Sequence, residues 1–503
     1  MGLGLLAVGL AGAGVVGVAA HDVIQRKSAI KHNFPVVGWV RYIFEGQRSK
    51  IRQYFISGPR DERPYTLRQR EYVYRSAKNL PSATGFGSDA DLESPGSWAF
   101  MNTAFPTQEW EAPDDSAVPP VIGPHRLEPF QPKSFVNISD MSFGSLGKNA
   151  VLALSKGASL SGVWLSTGEG SLTPHHTAFP CDRVLEIGSG LFGLRELDGS
   201  FSLDRFRKLM PQVNAITIKL SQGAKPGSGG VLPKAKITEE IAKIRNISRD
   251  HDCHSPNRFK EFHDARSLLN WVAMLQQESG KPVGIKFCLG DRTFVHDLIE
   301  LLKGTPEDVG PDYIILDGSE GGTGAAPPAL ADHMGTPIRQ ALPWLDDRLR
   351  EAGLRHRIRI IAAGRFSMAG DVAFALALGA DFVNIARGFL MSMGCIQAME
   401  CHTNHCPTGI TTHSPWLQAG LDPEDKGVRV ANYAMRLRAD LMTVVRSVGL
   451  LSPNEFTRHH VVMMDNAGRA RPLAEMYPYP PGCDPGRPLI VAKRPAVEPT
   501  VPG

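Results

Sequence analysis

Residues 359–388 read RIIAAGRFSMAGDVAFALALGADFVNIARG, and this stretch has the form of one strand-helix-strand unit. Two short apolar runs, 359–363 and 382–386, stand at its ends, and each leads into an arginine and a glycine. The segment between them is rich in alanine and leucine, which favours a helix. Continuous apolar strands joined by a helix indicate neighbouring strands of a parallel sheet.

The same alternation extends back along the chain to about residue 132. Six further apolar runs end in glycine or a polar turn, at 135–139, 163–166, 184–187, 215–220, 284–289 and 313–317. With the two runs above they make eight strand candidates. Eight such units favour an α/β fold of the (β/α)8 TIM barrel type, with an open doubly wound sheet as the alternative.

The ends of these strands carry most of the polar motifs of the chain. In order they read SDMSFGSLG (139–147), STGEGS (166–171), KLSQGAKPGSGG (219–230), DGSEGGTGAAP (317–327), AAGR (362–365) and NIARG (384–388). Glycine clusters let backbone amides approach an anionic or planar ligand closely, although each turn alone is compatible with a plain turn. The last two motifs lie where barrels commonly bind phosphate. Together they indicate a large phosphorylated cofactor, most simply FMN.

Three cysteines stand close together in GCIQAMECHTNHCPTG, residues 394–409. Cys395, Cys401 and Cys406 have the spacing C-x5-C-x4-C, and thiolates at such spacing suit an iron-sulfur cluster. A three-iron cluster, or a four-iron cluster with one non-cysteine ligand, is expected because no fourth cysteine lies nearby. Zinc with His402 or His405 as fourth ligand, and buried free thiols, are the alternatives.

Composition and charge give no support for a nucleic-acid partner. The 503 residues have a formal net charge of +4, and no basic block or interleaved aromatic stretch is present. Hydrophobic residues make up 42% of the chain, enough for a sizeable core. The four cysteines outside the 394–409 loop are scattered, which a reducing compartment permits.

The N-terminal residues 2–20 are uncharged and long enough to cross a hydrocarbon core as a helix. Arg26, Lys27, Lys31 and Arg41 follow, and the positive-inside rule then leaves the rest of the chain in the cytoplasm. We therefore predict a membrane-anchored protein with a cytoplasmic catalytic domain. A soluble cytoplasmic protein with a packed helix, or a signal peptide, is the alternative.

These observations give a domain plan. We predict a transmembrane helix over 1–21, a covering region over 22–132 and the barrel domain over 133–420, which includes the 394–409 loop. Residues 421–503 are predicted to form C-terminal helices on the barrel and a proline-rich tail, extended or disordered after residue 477.

Four motifs in order carry a resemblance to a known family. KLSQGAKPGSGGVLP, DGSEGGTGAAP, AAGRFSMAGDVAFALALGA and GCIQAMECHTNHCPTGI resemble the FMN-binding, iron-sulfur synthase domain of glutamate synthase over about residues 134–409. The resemblance implies a (β/α)8 barrel that carries FMN and a 3Fe-4S cluster on Cys395, Cys401 and Cys406. It also implies reductive conversion of 2-oxoglutarate and ammonia to glutamate.

Reduced flavin needs a fixed cation near the charge that accumulates at N1 and O2, and Lys286, with Lys219 beside it, is the candidate. Glu169 is expected either to relay a proton to the substrate nitrogen or to anchor its glycine loop. The resemblance implies that Gln222, Lys225 and Arg245 hold 2-oxoglutarate. The implied cofactor contacts are Ser142, Thr167, Lys219, Lys286, Gly321, Gly322, Gly364, Arg365, Ala386 and Arg387, the last four at the phosphate.

The chain departs from the family pattern in the substrate loop. The usual motif reads KPGEGGQLP, whereas Ser228 and Val231 stand here in place of its glutamate and glutamine. Losing an amide from this loop predicts a changed preference for the oxo-acid or the amine.

The expected partners follow from two features that are not visible in the sequence. Because no N-terminal cysteine nucleophile is visible, nitrogen is expected as ammonia from solution or from a separate glutaminase. Because no dinucleotide-binding fold is visible either, electrons are expected from ferredoxin or a reductase subunit. A membrane-tethered electron-transfer or sensing module without synthase activity is the alternative function.

Overall fold

The computed structural model describes residues 2–81, 83 and 85–486. The described residues form two compact units, one ending at Arg68 and the other beginning at Gln69. The proline-rich tail beyond residue 486 lies outside the described residues. The domain boundaries at 132 and 420 remain predictions.

The first unit is helical. It contains α1 (Gly2–Ile24), α2 (Ala29–Asn33), α3 (Gly38–Ile51) and a π-helical turn (Arg52–Ile56). The carboxylate of Asp22, near the end of α1, is fully buried and accepts hydrogen bonds from Val36 N and Trp39 Nε1, both at 3.0 Å. These bonds tie the end of α1 to α3.

The predicted transmembrane helix over 1–21, and the membrane-anchored location drawn from it, are wrong. No helix within the described residues is long and apolar enough to cross a membrane. The apolar run of α1 ends at Ala20. His21 and the buried, hydrogen-bonded Asp22 then follow within the same helix.

The second unit contains thirteen strands among the described residues, of which eight form a closed parallel barrel. They are β1 (Trp98–Phe100), β2 (Val136–Ile138), β3 (Leu165–Ser166), β4 (Arg183–Ile187), β5 (Ala215–Lys219), β6 (Val231–Leu232), β7 (Cys253–His254), β8 (Val283–Phe287), β9 (Tyr313–Asp317), β10 (Arg359–Ala363), β11 (Phe382–Ile385), β12 (Val461–Met464) and β13 (Ala470–Pro472). The barrel order is β2-β3-β4-β5-β8-β9-β10-β11, closing on β2. The (β/α)8 prediction is confirmed, and the open-sheet alternative is wrong.

Helices surround the barrel in the expected alternation. They are α4 (Leu67–Ala77), α5 (Lys148–Ser161), α6 (Leu203–Leu209), α7 (Glu239–Arg245), α8 (Ala265–Ser279), α9 (Thr293–Leu302), α10 (Pro328–Ala331), α11 (Ile338–Glu351), α12 (Ala369–Ala377), α13 (Arg387–Ser392), α14 (Pro415–Ala419), α15 (Pro423–Val448) and α16 (Leu473–Met476). Short 3-10 turns occupy Met210–Gln212, Lys234–Lys236, Pro453–Glu455 and Arg458–His460.

The C-terminal helix α15 packs along α5. The contact is so close that a Cβ on Gly157 would lie 2.2 Å from Val430 Cγ1, so only glycine fits at that position. Residues 421–448 thus add a helical layer to the barrel, as the apolar spacing of the sequence predicts.

An aromatic cluster fills one end of the barrel. Trp164 is packed between Phe130 and Phe382, with ring centroids 5.8 and 5.4 Å away, and all three are buried. Residues just before or at the start of β3 and β11 supply two of these rings, so this end is the amino-terminal one. Functional groups are therefore expected at the opposite, carboxyl end of the strands.

Candidate active site

A buried cluster of acidic and basic side chains lies at the carboxyl ends of the barrel strands. Lys286, on β8, donates hydrogen bonds to Asp140 Oδ2 at 2.6 Å and to Glu186 Oε2 at 3.1 Å. Asp140 follows β2 and also accepts a hydrogen bond from the hydroxyl of Ser166, at the end of β3. Lys286 is 5% exposed and Glu186 is 2% exposed, so solvent does little to screen the interaction between their side chains.

A second lysine joins this cluster from the neighbouring strand. Lys219, on β5, stands beside Lys286 in the register of the barrel. Its ammonium donates to Glu169 Oε2 at 3.1 Å and lies 3.7 Å from Glu186 Oε1. Glu186 therefore lies between the two lysines.

The five charged groups do not ionise alike. Burial and the neighbouring Asp140 carboxylate raise the pKa of Glu186 to about 8, although both lysines act against this. Burial also acts to raise the pKa of Asp140, but Lys286 and a hydrogen bond from Glu186 outweigh it and lower that pKa to about 2. At neutral pH the cluster thus holds Asp140 as a carboxylate and Glu186 as a neutral acid.

Both lysines stay charged. Burial opposes the charge on each lysine. The Asp140 carboxylate outweighs it for Lys286 and the Glu169 carboxylate outweighs it for Lys219, so both pKa values are raised. The barrel mouth therefore presents two fixed ammonium groups side by side.

Glu169 lies where three loops converge. A Cβ on Gly230 would lie 2.1 Å from Glu169 Oε1, and one on Gly188 would lie 2.9 Å from Oε2, so these glycines make room for the carboxylate. Burial acts to raise the pKa of Glu169, but Lys219, Arg245 and Lys225 outweigh it and lower the pKa. The carboxylate is thus ionised and surrounded by cations.

Arg245 ends α7 and is buried, with 3% of its surface exposed. Its Nη2 donates to Phe143 O at 2.8 Å and to Ser142 Oγ at 3.3 Å, and its guanidinium lies 4.9 Å from the centroid of the Phe192 ring. Its Nε has no hydrogen-bond partner among the described residues. Burial lowers the pKa of Arg245.

Lys225 is likewise buried, at 4% exposed, and burial lowers its pKa. Within the described part of the chain its ammonium makes neither a hydrogen bond nor an ion pair. Arg245 and Lys225 thus place unused donors around the carboxylate of Glu169, which influences both electrostatically. Gln222, on the same loop as Lys225, directs its amide towards Gly322 O, 3.5 Å away.

The loops after β9, β10 and β11 form the other side of the mouth. Arg387 donates from Nη2 to Glu320 O at 2.7 Å, and a Cβ on Gly322 would lie 2.7 Å from Arg387 Nε. Ala386 directly precedes Arg387. Gly364 and Arg365 follow the adjacent strand β10, and Arg365 lines a cavity of about 80 Å³ together with Glu320. Two arginines and several glycines therefore meet at the strand ends where phosphate was expected.

Two predicted cofactor contacts are held tightly in the barrel wall. The hydroxyl of Thr167 donates to Gly168 O and accepts from Glu186 N, at 3.0 and 3.1 Å, and the residue is fully buried. Gly321 lies against Asp317, whose Oδ1 would be 2.8 Å from an added Cβ. Only the backbone of Gly321 can therefore contact a ligand there.

The cysteine loop follows α13 and is held by specific contacts. Tyr74 Oη donates to Cys395 O at 2.7 Å, and Asn404 Nδ2 donates to Ala235 O at 2.9 Å. Gln397, Met399 and Asn404 all have positive φ, between 59° and 68°, which non-glycine residues seldom adopt. A loop that holds such conformations is fixed by its surroundings.

The three thiols influence one another. Burial raises the pKa of Cys395 to about 12, and Cys401 and Cys406 add to that rise. Burial acts in the same direction on Cys406, but hydrogen bonds from Thr408 and Thr411 outweigh it and lower the pKa. No three His, Cys, Asp or Glu side chains among the described residues converge on a single ion position.

The loop of Ser142, the Lys225 loop and the cysteine loop meet at one point. Lys236 donates to Ser145 O at 2.6 Å and to Cys401 O at 3.4 Å, and His413 Nε2 lies 2.9 Å from Gly144 O. Ser145 in turn accepts a hydrogen bond from Ser142, at 3.1 Å between the hydroxyls. The cysteine loop is thus linked to the mouth of the barrel through direct hydrogen bonds.

Comparisons with known proteins identify the family of this chain. The family model described as the conserved region in glutamate synthase matches residues 102–450. The glutamate synthase large subunit-like protein YerD of Bacillus subtilis is 40% identical over 489 residues, covering 89% of this chain and 92% of that protein. The chain belongs to the glutamate synthase family. It is an enzyme, and its class is oxidoreductase.

Other relatives of the glutamate synthase family match a shorter part of the chain. The archaeal-type glutamate synthase [NADPH] of Thermotoga maritima is 35% identical over 63% of this chain and 59% of its own length. The archaeal glutamate synthase [NADPH] of Methanocaldococcus jannaschii is also 35% identical, over 63% of this chain and 59% of that protein. The chain thus spans about three fifths of these two relatives.

Sequence reasoning found the two lysines and Glu169 but missed Asp140 and Glu186. Asp140 stands in the quoted strand-end motif SDMSFGSLG, and Glu186 interrupts the apolar run RVLEI, yet neither was singled out. Lys286 and Glu186 both stand in apolar strands, and charges rarely lie in such strands without a partner. Applied to both signs of charge, this rule would have found Glu186.

Proposed function

We propose that this chain catalyses the reductive amination of 2-oxoglutarate to glutamate, with FMN and a 3Fe-4S cluster as cofactors. In this reaction 2-oxoglutarate and ammonium take up two electrons and two protons and release water. Ammonia comes from solution or from a separate glutaminase, and electrons come from ferredoxin or a reductase subunit. The observation that carries the proposal is the group of unused donors on Arg245 and Lys225 beside Glu169, at the mouth of a barrel that holds two fixed ammonium groups.

The residues at the mouth fit FMN. Lys286 and Lys219 offer positive charge for the pyrimidine edge of the flavin, and Arg365 and Arg387 offer it for the phosphate. The glycines of the three loops after β9, β10 and β11 leave backbone amides accessible. A barrel site with cations at both ends suits a long cofactor that is anionic at one end and accumulates charge at the other.

The thiols of the cysteine loop suit a cluster. Cys395, Cys401 and Cys406 are close enough to shift each other's pKa. Cysteine thiolates are the usual ligands of iron-sulfur clusters. Thr408 and Thr411 favour the thiolate of Cys406, which is the form that binds metal.

When bound, FMN supplies a hydride and the cluster supplies single electrons. Arg245 and Lys225 bind the two carboxylates of the substrate, and the buried position of Arg245 makes its hydrogen bonds strong. Lys286 and Lys219 hold positive charge where negative charge accumulates. Glu169 accepts and returns a proton at the substrate nitrogen, since it is ionised and lies beside Lys225 and Arg245.

The test is a single-turnover experiment. The purified protein is reduced without oxygen, and 2-oxoglutarate with ammonium is added while the flavin absorbance is followed. Rapid flavin reoxidation with one glutamate formed per flavin is expected. Arg245→Ala should lose this reaction while retaining flavin, and Arg249→Ala, on the exposed segment just after α7, is the control. A reduced flavin that stays reduced with every oxo-acid and amine would refute the proposal and favour an electron-transfer module.

A second candidate is a synthase for a different amine or oxo-acid. Val231 favours it because this residue is 38% exposed next to Gly230, which packs against Glu169, and carries no hydrogen-bonding side chain where the family motif has an amide. Flavin reoxidation by an alkylamine with 2-oxoglutarate, or by a more apolar oxo-acid with ammonium, at a higher kcat/KM than the parent pair would establish this candidate.

A further inference from the structure

Lys236 is a buried cation without a carboxylate partner. It ends the 3-10 turn Lys234–Lys236, is 3% exposed, and donates to the carbonyl oxygens of Ser145 and Cys401. No Asp or Glu in the described residues forms an ion pair with it. Burying an ammonium without a counter-charge is costly, and two carbonyl groups compensate for only part of that cost.

The groups around Lys236 indicate where its counter-charge lies. Its ammonium lies 3.4 Å from Cys401 O, and the thiols of Cys401 and Cys406 and the cation Arg245 influence its charge. His413 is a further neighbour and adds no negative charge. Because Lys236 contacts the backbone of Cys401 directly, the negative charge of a cluster held by the cysteine loop would balance its ammonium.

We propose that Lys236 is the counter-ion of the cysteine loop and raises the reduction potential of the cluster held there. This inference rests on the proposed function. A fixed ammonium beside the ligands stabilises the extra negative charge that one electron brings to the cluster. Through Ser145 the same ammonium also holds the loop of Ser142 against the cysteine loop. Lys236 is thus a positioning residue for electron entry.

The experiment measures the midpoint potential of the cluster by redox titration with electron paramagnetic resonance, on the full-length protein. Three variants are compared with the parent: Lys236→Met, Lys236→Arg and Lys234→Met. Lys234 is the matched control, since it stands on the same turn and is exposed. We expect a more negative potential for Lys236→Met, with Lys236→Arg and Lys234→Met close to the parent.

Iron and acid-labile sulfide are measured in every preparation. An unchanged potential in a Lys236→Met protein with full iron content overturns the inference and leaves the proposed function intact. If Lys236→Met loses iron while Lys236→Arg retains it, the requirement for charge is supported. Equal iron loss in both variants assigns Lys236 to packing and overturns the inference. A parent protein without a cluster overturns the proposed function, and the inference falls with it.

Discussion

Replacing Glu186 with glutamine should change how the stability of the protein depends on pH. Glu186 is fully buried between two lysines and Asp140, and its pKa is raised from 4.5 to about 8. The folded protein therefore keeps a proton on Glu186 between about pH 4.5 and 8, whereas the unfolded chain releases it. Because the unfolded state binds fewer protons in this window, the free energy of unfolding falls as pH rises.

The size of the effect follows from the shift. Each unit of pKa difference corresponds to about 1.4 kcal/mol, so this single group removes roughly 3 kcal/mol of stability between about pH 5.5 and 8. Glutamine mimics the neutral acid and does not titrate. The stability of Glu186→Gln relative to the parent should therefore rise by roughly 3 kcal/mol across that range.

Urea unfolding followed by tryptophan fluorescence, at several pH values, measures this difference. The difference in stability between the two proteins cancels the pH-dependent contributions of the groups that they share. One of these is His176, whose pKa is lowered by burial to about 3. Glu300→Gln, at an exposed position on α9, is the control and should track the parent at every pH. If the difference in unfolding free energy between Glu186→Gln and the parent does not change with pH, Glu186 is not protonated in the folded protein.

Three further outcomes are expected. Arg245→Lys should raise the KM for 2-oxoglutarate about 10- to 100-fold in steady-state kinetics, since lysine cannot reproduce the paired hydrogen bonds of a buried guanidinium. An unchanged KM would show that Arg245 does not bind the substrate. Val231→Gln should raise kcat/KM for 2-oxoglutarate about tenfold, the value of one hydrogen bond to a charged group; no gain would show that position 231 does not contact the oxo-acid. Gly230→Ala should abolish flavin reoxidation, because its Cβ would lie 2.1 Å from Glu169 Oε1; retained turnover would show that Glu169 can move without loss.

The barrel could be predicted from the sequence because its strands are buried on both faces. Runs such as YIILD and RIIAA have no polar interruption, so their positions follow from composition alone. The pairing of Lys286 with Asp140 could not be predicted in this way. These residues lie 146 positions apart, and only closure of the barrel brings their strands to one mouth.

The N-terminal prediction failed for a different reason. Hydropathy counts apolar residues along the chain but takes no account of what the end of a helix contacts. The carboxylate of Asp22 is buried by Val36 and Trp39 of the same unit, and no sequence window shows that contact. The burial of Lys236 was equally hidden, since it stands beside the exposed Lys234 and looks like an ordinary surface position, whereas Arg245 was assigned only through the family resemblance.

The two departures from the family motif leave the framework of the site unchanged. Val231 pairs through its backbone with His254, and Gly229 and Gly230, which lie between Ser228 and Val231, are too closely packed to carry a side chain. Lys236, five residues further on, still holds the cysteine loop. A change that preserved these contacts but removed an exposed amide acts on recognition and not on folding. The loop is therefore expected to retain its geometry around Glu169, and the change at position 231 is expected to alter the affinity for the oxo-acid.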